Sequence, residues 1–274
     1  MPLSIRTNVA SIMASGNLAR TNADLTQSLS RISSGLRIGS ASDDAAGLGV
    51  ATTLETAAIS TRQAMRNAND GISLIQTAES AGEEVTDILQ RMRELAVQSS
   101  SETLADSERS FITDEFNQLR SVVARIAGSS EFNGIALNDG TTASLNVQVG
   151  ITNSADSRVQ ITLTNLTTSG LGINSLDLST ASTAQTALST IDTALASVNS
   201  GRSQLGAVQN RLDSSINNSQ NYSEALSAAA SAIMDTDYAT ESSNLTKLQI
   251  MQQSGIVSLA QAKNMNQSVV ALLT

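Results

Sequence analysis

The chain has 274 residues, a formal net charge of −9 at pH 7, and no His, Cys or Trp. Without His and Cys, zinc sites and the common nucleophilic triads are excluded or heavily restricted. The acidic side chains on the predicted helices are interpreted as solvated faces, and we expect no enzyme activity and no catalytic, cofactor-binding or metal-ligating residues. The negative charge argues against nucleic acid as a partner, and no run of about 20 apolar residues is present that would allow membrane insertion.

The first predicted element is an amphipathic helix over residues 5–36. Its apolar residues recur at helical spacing, but the phase slips near Gly16, which predicts an irregularity there. Gly35 ends the pattern, and Asp43 or Asp44 is the expected N-cap of the next helix. Four residues form the clearest apolar stripe of this first helix: Leu25, Leu29, Ile32 and Leu36.

Two further helices are predicted between residues 75 and 126. From Ile75 to Ala96, small or apolar residues alternate at intervals of three and four, which is the seam of a coiled-coil-like helix. The second helix carries apolar residues from Ile112 to Ile126. The connection between the two helices is short and polar, which favours antiparallel neighbours.

In the middle of the chain, the apolar residues change from helical spacing to a repeat of every second residue. Residues 145–149 and 159–163 both alternate between apolar and polar side chains, and residues 150–156 are typical of a turn. This pattern predicts a small β-hairpin region at about 143–175.

The longest pattern runs from Leu188 to Ile233 and again alternates at intervals of three and four. Its polar exceptions include Arg202, and a polar seam residue can fix register while it reduces stability. The final helix is expected after Asp237. Its apolar positions include Leu245, Leu248, Val269 and Leu272.

Together these periodicities predict a mainly α fold, an elongated antiparallel helical rod with coiled-coil-like terminal helices and a small β-hairpin region. We expect the first and last helices to pair with each other and with other copies of the chain. Because polar residues dominate the rest of their surfaces, we also expect both termini to be disordered in the isolated monomer and to order during assembly. Residues 1–6 show no apolar segment of a cleaved signal peptide.

Five segments resemble bacterial flagellin, and they stand in the order in which that family carries them. They are LSRISSGLRI at 29–38, ASDDAAGL at 41–48, NANDGISLIQTAE at 67–79, EFNG at 131–134 and DTDYATE at 235–241. The resemblance covers nearly the whole chain, although the middle has no room for the outer domains of larger flagellins.

The resemblance implies a structural subunit that self-assembles into the helical filament of the bacterial flagellum for swimming motility. Residues 1–42 and 234–274 would form the inner layer of that filament, and residues 43–233 the helical rod domain. The protein would be secreted uncleaved through the flagellar type III apparatus into the extracellular filament. Its implied partners are other copies of itself, an export chaperone, the filament cap and hook-associated proteins.

One further segment, QRMRELAV at 90–97, is similar to the flagellin segment that the flagellin-sensing Toll-like receptor binds. The resemblance implies three candidate residues for receptor binding: Arg91, Leu95 and Glu115. Arg91 can donate a planar fork of hydrogen bonds, and Leu95 can fill an apolar pocket. Contact with the next subunit is the competing interpretation of this surface. For the whole chain, a hook–filament junction protein and a surface adhesin or receptor ligand remain as alternatives.

Overall fold

The computed structural model describes residues 7–271, with the backbone alone for residues 265–271. Within that part of the chain the helices are α1 (Val9–Ser34), α2 (Ala45–Ser99), α3 (Asp106–Ser129), α4 (Ala181–Met234) and α5 (Tyr238–Ala271). The strands are β1 (Glu131–Phe132), β2 (Ile135–Ala136), β3 (Ser144–Gln148) and β4 (Arg158–Thr162). The predicted mainly α fold is confirmed. No helix among the described residues combines the length and the apolar character that crossing a membrane requires.

The chain forms two compact units. Unit 1 is drawn from Met1–Thr56 and Ala225–Thr274, and unit 2 is Ala57–Glu224. The long helices α2 and α4 therefore each contribute residues to both units.

In unit 1, α1 is a single continuous helix. The Asn8 side chain caps its start by accepting a hydrogen bond from the Ser11 N–H at 3.0 Å. Gly35 ends it in the left-handed conformation, with φ 73°, and its N–H donates to the Arg31 carbonyl. The irregularity predicted near Gly16 is wrong, because the apolar residues on either side of it lie on two different faces of one unbroken helix.

The segment after α1 is hydrogen-bonded to the segment between α4 and α5. Leu36 and Asp235 form an antiparallel bridge, and the Thr236 N–H donates to the Gly35 carbonyl at 2.9 Å. The Arg37 guanidinium donates to the carbonyl of Ile233 at 2.6 Å, which satisfies one of the last carbonyls of α4. The start of α2 is capped by the predicted residue Asp44, whose side chain accepts the Gly47 N–H at 2.9 Å.

The interior of unit 2 consists of two hydrophobic clusters. The first cluster joins α2, α3 and α4 with the segment before α4, and its largest fully buried side chain is Phe116. The second cluster joins α2 and α4 to strands β3 and β4. Every seam position predicted from Ile75 to Ala96 is buried, and α4 runs without a break through its predicted seam, as the alternating pattern indicated.

The predicted hairpin is formed by β3 and β4, which pair antiparallel with Leu145 opposite Ile161 and Val147 opposite Val159. The residues of β4 alternate between exposed and buried, so one face of the ribbon covers the second cluster. A second, shorter pair, β1 with β2, was not predicted.

The buried Arg109 holds α3 to the end of α2. Its guanidinium donates to the carbonyls of Ser99 at 3.1 Å and Ser101 at 2.5 Å, groups that the end of a helix leaves without helical partners. The Ser99 hydroxyl in turn donates to the carbonyl of Leu178 at 2.7 Å. Polar side chains thus connect the elements around the first cluster where apolar packing stops.

Candidate interaction surfaces

The first candidate surface is the pair formed by α1 and α5. On each helix, a row of half-buried or buried residues recurs at intervals of three and four, which is the pattern of a two-helix seam. The row on α1 consists of Ser11, Ala14, Leu18, Thr21, Leu25, Ser28 and Ile32. The row on α5 consists of Glu241, Leu245, Leu248, Gln252, Gly255, Leu259 and Ala262.

Three contacts show that the two helices run antiparallel. The Asn8 amide donates to the Ala262 carbonyl at 2.8 Å, and the Gln252 amide donates to the Asn22 side-chain oxygen at 2.8 Å. Between these bonds, a Cβ on Gly255 would lie only 3.2 Å from the Leu18 Cδ1, so the glycine lets the helices approach closely. The first and last helices of the chain therefore pack together, as predicted.

Much of this seam is polar or small. Thr21 and Ser28 are both buried, and the Thr21 hydroxyl is satisfied by the Asn17 carbonyl of its own helix. The Ser28 hydroxyl is buried and has no hydrogen-bond partner among the described residues. Such positions add little favourable free energy, so the seam is weaker than a coiled coil with Leu at every position.

The sides of the two helices that face away from the seam carry exposed apolar residues. We call five of these the back-face residues; each is between 56% and 64% exposed, and they are Val9, Ile12, Met13, Ile250 and Val257. At about 100° per residue, they lie opposite the seam of their own helix. The helix α5 also exposes Met251 and Ile256 on its flanks, so its exposed apolar side chains are distributed around the helix among polar ones.

The predicted stripe residues are divided between these faces. Four of them lie half-buried in the seam: Leu25, Ile32, Leu245 and Leu248. Leu29 is 48% exposed on the flank of α1, and Leu36 lies beyond the end of that helix. The side chain of Val269 and the whole of Leu272 lie outside the described residues.

The second candidate surface is centred on Arg91 of α2 and lies within unit 2. The Arg91 Nε and Nη2 atoms both donate to Glu115 Oε1 on α3, at 3.0 and 2.8 Å, and Nη1 donates to Glu94 Oε2 at 2.9 Å. The bonds to Glu115, and then to Glu94, raise the pKa of Arg91 above its ordinary value. All three side chains are about half exposed or more, so these ion pairs hold their geometry while adding little stability.

The structure does not place Leu95 on this surface. Leu95 is only 2% exposed and belongs to the first cluster, so the expectation that it fills a partner's apolar pocket is wrong for this conformation. The physical reason is that both α3 and α4 pack against α2, which widens the buried stripe beyond the single seam that the heptad predicts.

An exposed aromatic residue that sequence reasoning missed lies next to Glu115. Phe111 is 75% exposed and precedes Glu115 by four residues on α3, so both side chains lie on one face of that helix. The sequence could have indicated this exposure, because Phe111 directly precedes Ile112, a residue of the predicted apolar row of α3, and so lies off that row. On the other side of α2, Arg93 and Asp192 form an ion pair at 2.6 Å.

Comparison with known proteins identifies the family. The family model of the bacterial flagellin N-terminal helical region matches residues 5–143, and that of the bacterial flagellin C-terminal helical region matches residues 188–273. The chain belongs to the bacterial flagellin family. It is therefore a structural subunit of the extracellular flagellar filament, a protein that self-assembles, and it is not an enzyme.

Individual flagellins are similar to this chain over nearly their whole length. A flagellin of Halalkalibacterium halodurans is 42% identical over 90% of this chain and 91% of its own. The flagellar filament 33 kDa core protein of Treponema phagedenis is 36% identical over 98% of this chain and 99% of its own. Among solved structures, Bacillus cereus flagellin matches with a TM-score of 0.50 and 29% identity, covering 56% of this chain and 88% of that chain.

Proposed function

We propose that the filament is built through the terminal helices, with residues 1–42 and 234–274 in its inner layer and residues 43–233 in the layer around it. The observation that carries this proposal is the exposure of the back-face residues on helices whose mutual seam is weak. Matches to flagellins and a filament core protein over almost the full chain favour a filament subunit over a hook–filament junction protein or an adhesin.

Burial of the back faces supplies a driving force of adequate size. Transfer of one large apolar side chain from water into a packed interior contributes about 1.5–3 kcal/mol, so five half-exposed residues contribute on the order of 5 kcal/mol per subunit. Contacts with further neighbours add to this before the entropy of association is subtracted. Because the faces of α1 and α5 differ, such contacts are heterologous and extend into an open helical polymer.

We expect the double variant Ile250→Ser, Val257→Ser to lose seeded polymerisation at concentrations at which the unmodified chain forms filaments. A matched control is Gln253→Ser, which changes an exposed polar residue of the same helix. Filament growth is measured by light scattering and electron microscopy, and helix content by circular dichroism. Growth of the double variant at the rate of the unmodified chain would contradict the role of the back faces.

The same apolar faces require cover before assembly, since they would otherwise associate prematurely. An export chaperone covers these faces by binding α5 until the chain is exported. The chain then leaves the cell uncleaved through the flagellar type III apparatus. The filament cap and hook-associated proteins are the remaining partners, because they occupy the two ends of the polymer. A pull-down of residues 234–274 with the cognate chaperone tests whether this segment is sufficient for binding.

Recognition of the released monomer by the flagellin-sensing Toll-like receptor involves Arg91 and Glu115. Both side chains are exposed, and Glu115 keeps its second carboxylate oxygen free of the ion pair with Arg91. Leu95 supports this surface from the hydrophobic interior. The surface is also a candidate contact with the next subunit, so that only the released monomer offers it to a receptor.

Reporter cells that express the receptor test this role. We expect Arg91→Ala and Glu115→Ala to lower the response to the monomer at least about tenfold, which corresponds to 1.4 kcal/mol of binding free energy. The matched control is Arg93→Ala. Arg93 lies two residues after Arg91 on α2, but it forms its ion pair with Asp192 of α4. Absence of any response to the unmodified monomer would contradict receptor recognition. That result would not bear on the proposal that the terminal helices build the filament.

A further inference from the structure

A polar layer separates the two hydrophobic clusters of unit 2. On α2, the second cluster ends at Ala78 and the first begins at Val85, with Gly82 between them. On α4, the first cluster ends at Val198 and the second begins at Leu205. Arg202 lies in that interval, at a seam position where the flanking turns carry buried apolar residues.

Arg202 and Gly82 fit against each other. The Arg202 Cγ and Cδ atoms lie 3.3 and 3.5 Å from the point that a Cβ on Gly82 would occupy, so the arginine stem fills the space left by the glycine. The Arg202 Nη2 atom reaches Glu79 Oε1 at 3.8 Å, a long ion pair. Its Nε atom is buried and has no hydrogen-bond partner among the described residues.

This arrangement is unfavourable compared with an apolar side chain at the same place. The Arg202 side chain is 30% exposed, but its guanidinium is only partly satisfied and loses part of its hydration without full compensation. An apolar residue of similar volume packs without that loss. At seam positions, such polar residues are known to specify alignment at the expense of stability.

We infer that Arg202 and Gly82 form a register lock, which fixes the alignment of α4 along α2 and lowers the stability of unit 2. The apolar residues of the surrounding heptads discriminate little between alignments, because they repeat every seven positions. A slip of one heptad, about 10 Å, would place Arg202 opposite either Ile75 or Leu89, both fully buried in the observed alignment. Burial of the arginine among those side chains opposes the slip.

A second close approach supports the same alignment. A Cβ on Gly71 would lie 3.3 Å from the Leu212 Cδ1 and 3.0 Å from the Val147 Cγ2, so a larger residue there would collide with α4 and β3. The two glycines are eleven positions apart on α2, and Arg202 and Leu212 are ten apart on α4. One antiparallel register of α2 and α4 therefore accounts for both close contacts, Gly82 with Arg202 and Gly71 with Leu212.

The lock is tested with Arg202→Met, which keeps an unbranched side chain and removes the charge. The chain has no cysteine, so pairs introduced at buried alanines report the alignment after addition of a short thiol cross-linker. Ala96→Cys with Ala187→Cys reports the observed register, and Ala96→Cys with Ala194→Cys reports the slip of one heptad that places Arg202 opposite Leu89. Each pair is cross-linked during refolding of the full chain from denaturant. Arg211→Met, an exposed arginine on the same helix, is the matched control.

We expect Arg202→Met to increase the slipped cross-link several-fold and to raise the melting temperature by about 2–4 °C. Arg211→Met is expected to change neither quantity. An unchanged slipped fraction in the Arg202→Met chain overturns the lock. A lower melting temperature, or failure of that chain to fold, also overturns it, because Arg202 would then be an ordinary stabilising residue.

Discussion

At the scale of single residues, neighbouring positions on one helix turn have different roles. Arg91 is exposed and holds two carboxylates, whereas Leu95, one turn further along α2, is enclosed by the first cluster. The heptad identified Met92 and Ala96 as seam residues, and both are buried. It could not show that a third helix covers the adjoining face, because that coverage depends on the tertiary position of α3.

Asp237 illustrates capping by a residue that the sequence placed at the start of the last helix. Its carboxylate accepts hydrogen bonds from the Thr240 hydroxyl at 2.7 Å and from the Ala239 N–H at 3.0 Å. The bond from the Thr240 hydroxyl is the largest cause that lowers the pKa of Asp237 below its ordinary value, followed by the backbone N–H groups. The cap therefore favours the ionised carboxylate.

We expect the first turn of α5 to lose stability in acid. Because the pKa of Asp237 is lower in the folded helix than in the unfolded chain, its contribution is present above the unfolded pKa and is lost as the pH falls through the folded value. The protection factors of the Ala239 and Thr240 amides, the ratio of the intrinsic to the observed exchange rate, are measured by NMR across this range and should decrease as the pH falls. Asp237→Asn should remove that pH dependence, while Asp24→Asn on the exposed face of α1 should leave it unchanged.

At the scale of elements, apolar period predicted α2 from Ile75 onward, α3, α4 and the β3–β4 hairpin, because each buries a row of mainly apolar residues. For α1 it predicted a helix but wrongly predicted an irregularity within it. The residues of α1 that face α5 include Ser11, Thr21 and Ser28, whereas the apolar Val9, Ile12 and Met13 face outwards. A pattern search that follows apolar residues alone therefore joins two faces of this helix and reports a phase slip.

The helix α3 offers a direct test of which of its faces stabilises unit 2. Phe116 is fully buried in the first cluster, so Phe116→Ala should lower the free energy of unfolding by about 3–5 kcal/mol. The matched control, Phe111→Ala, truncates an exposed side chain on the same helix and should change it by less than about 0.5 kcal/mol. Denaturant unfolding of the monomer, followed by circular dichroism, gives both values. Equal losses for the two variants would contradict the assignment of the buried face.

At the scale of the whole molecule, the sequence predicted the family and most of the architecture. The motifs at 29–48 and 67–79 carried the resemblance, and the matches at both ends of the chain confirm it. The back-face residues were not recognised as a separate surface, since the neighbouring subunits that we propose to cover them are absent from a single chain. A surface that is buried only in a polymer makes no contact within the single chain. Periodicity that reflects packing within the chain therefore does not locate it.

We propose that α1 and α5 acquire their full environment only in the filament. Hydrogen–deuterium exchange of the monomer and of the assembled filament tests this claim, with residues 75–96 of α2 as the internal reference. Residues 9–34 and 238–264 are predicted to exchange quickly in the monomer and roughly tenfold or more slowly in the filament, while the reference segment changes little. Equal protection of the terminal helices in both states would contradict the claim.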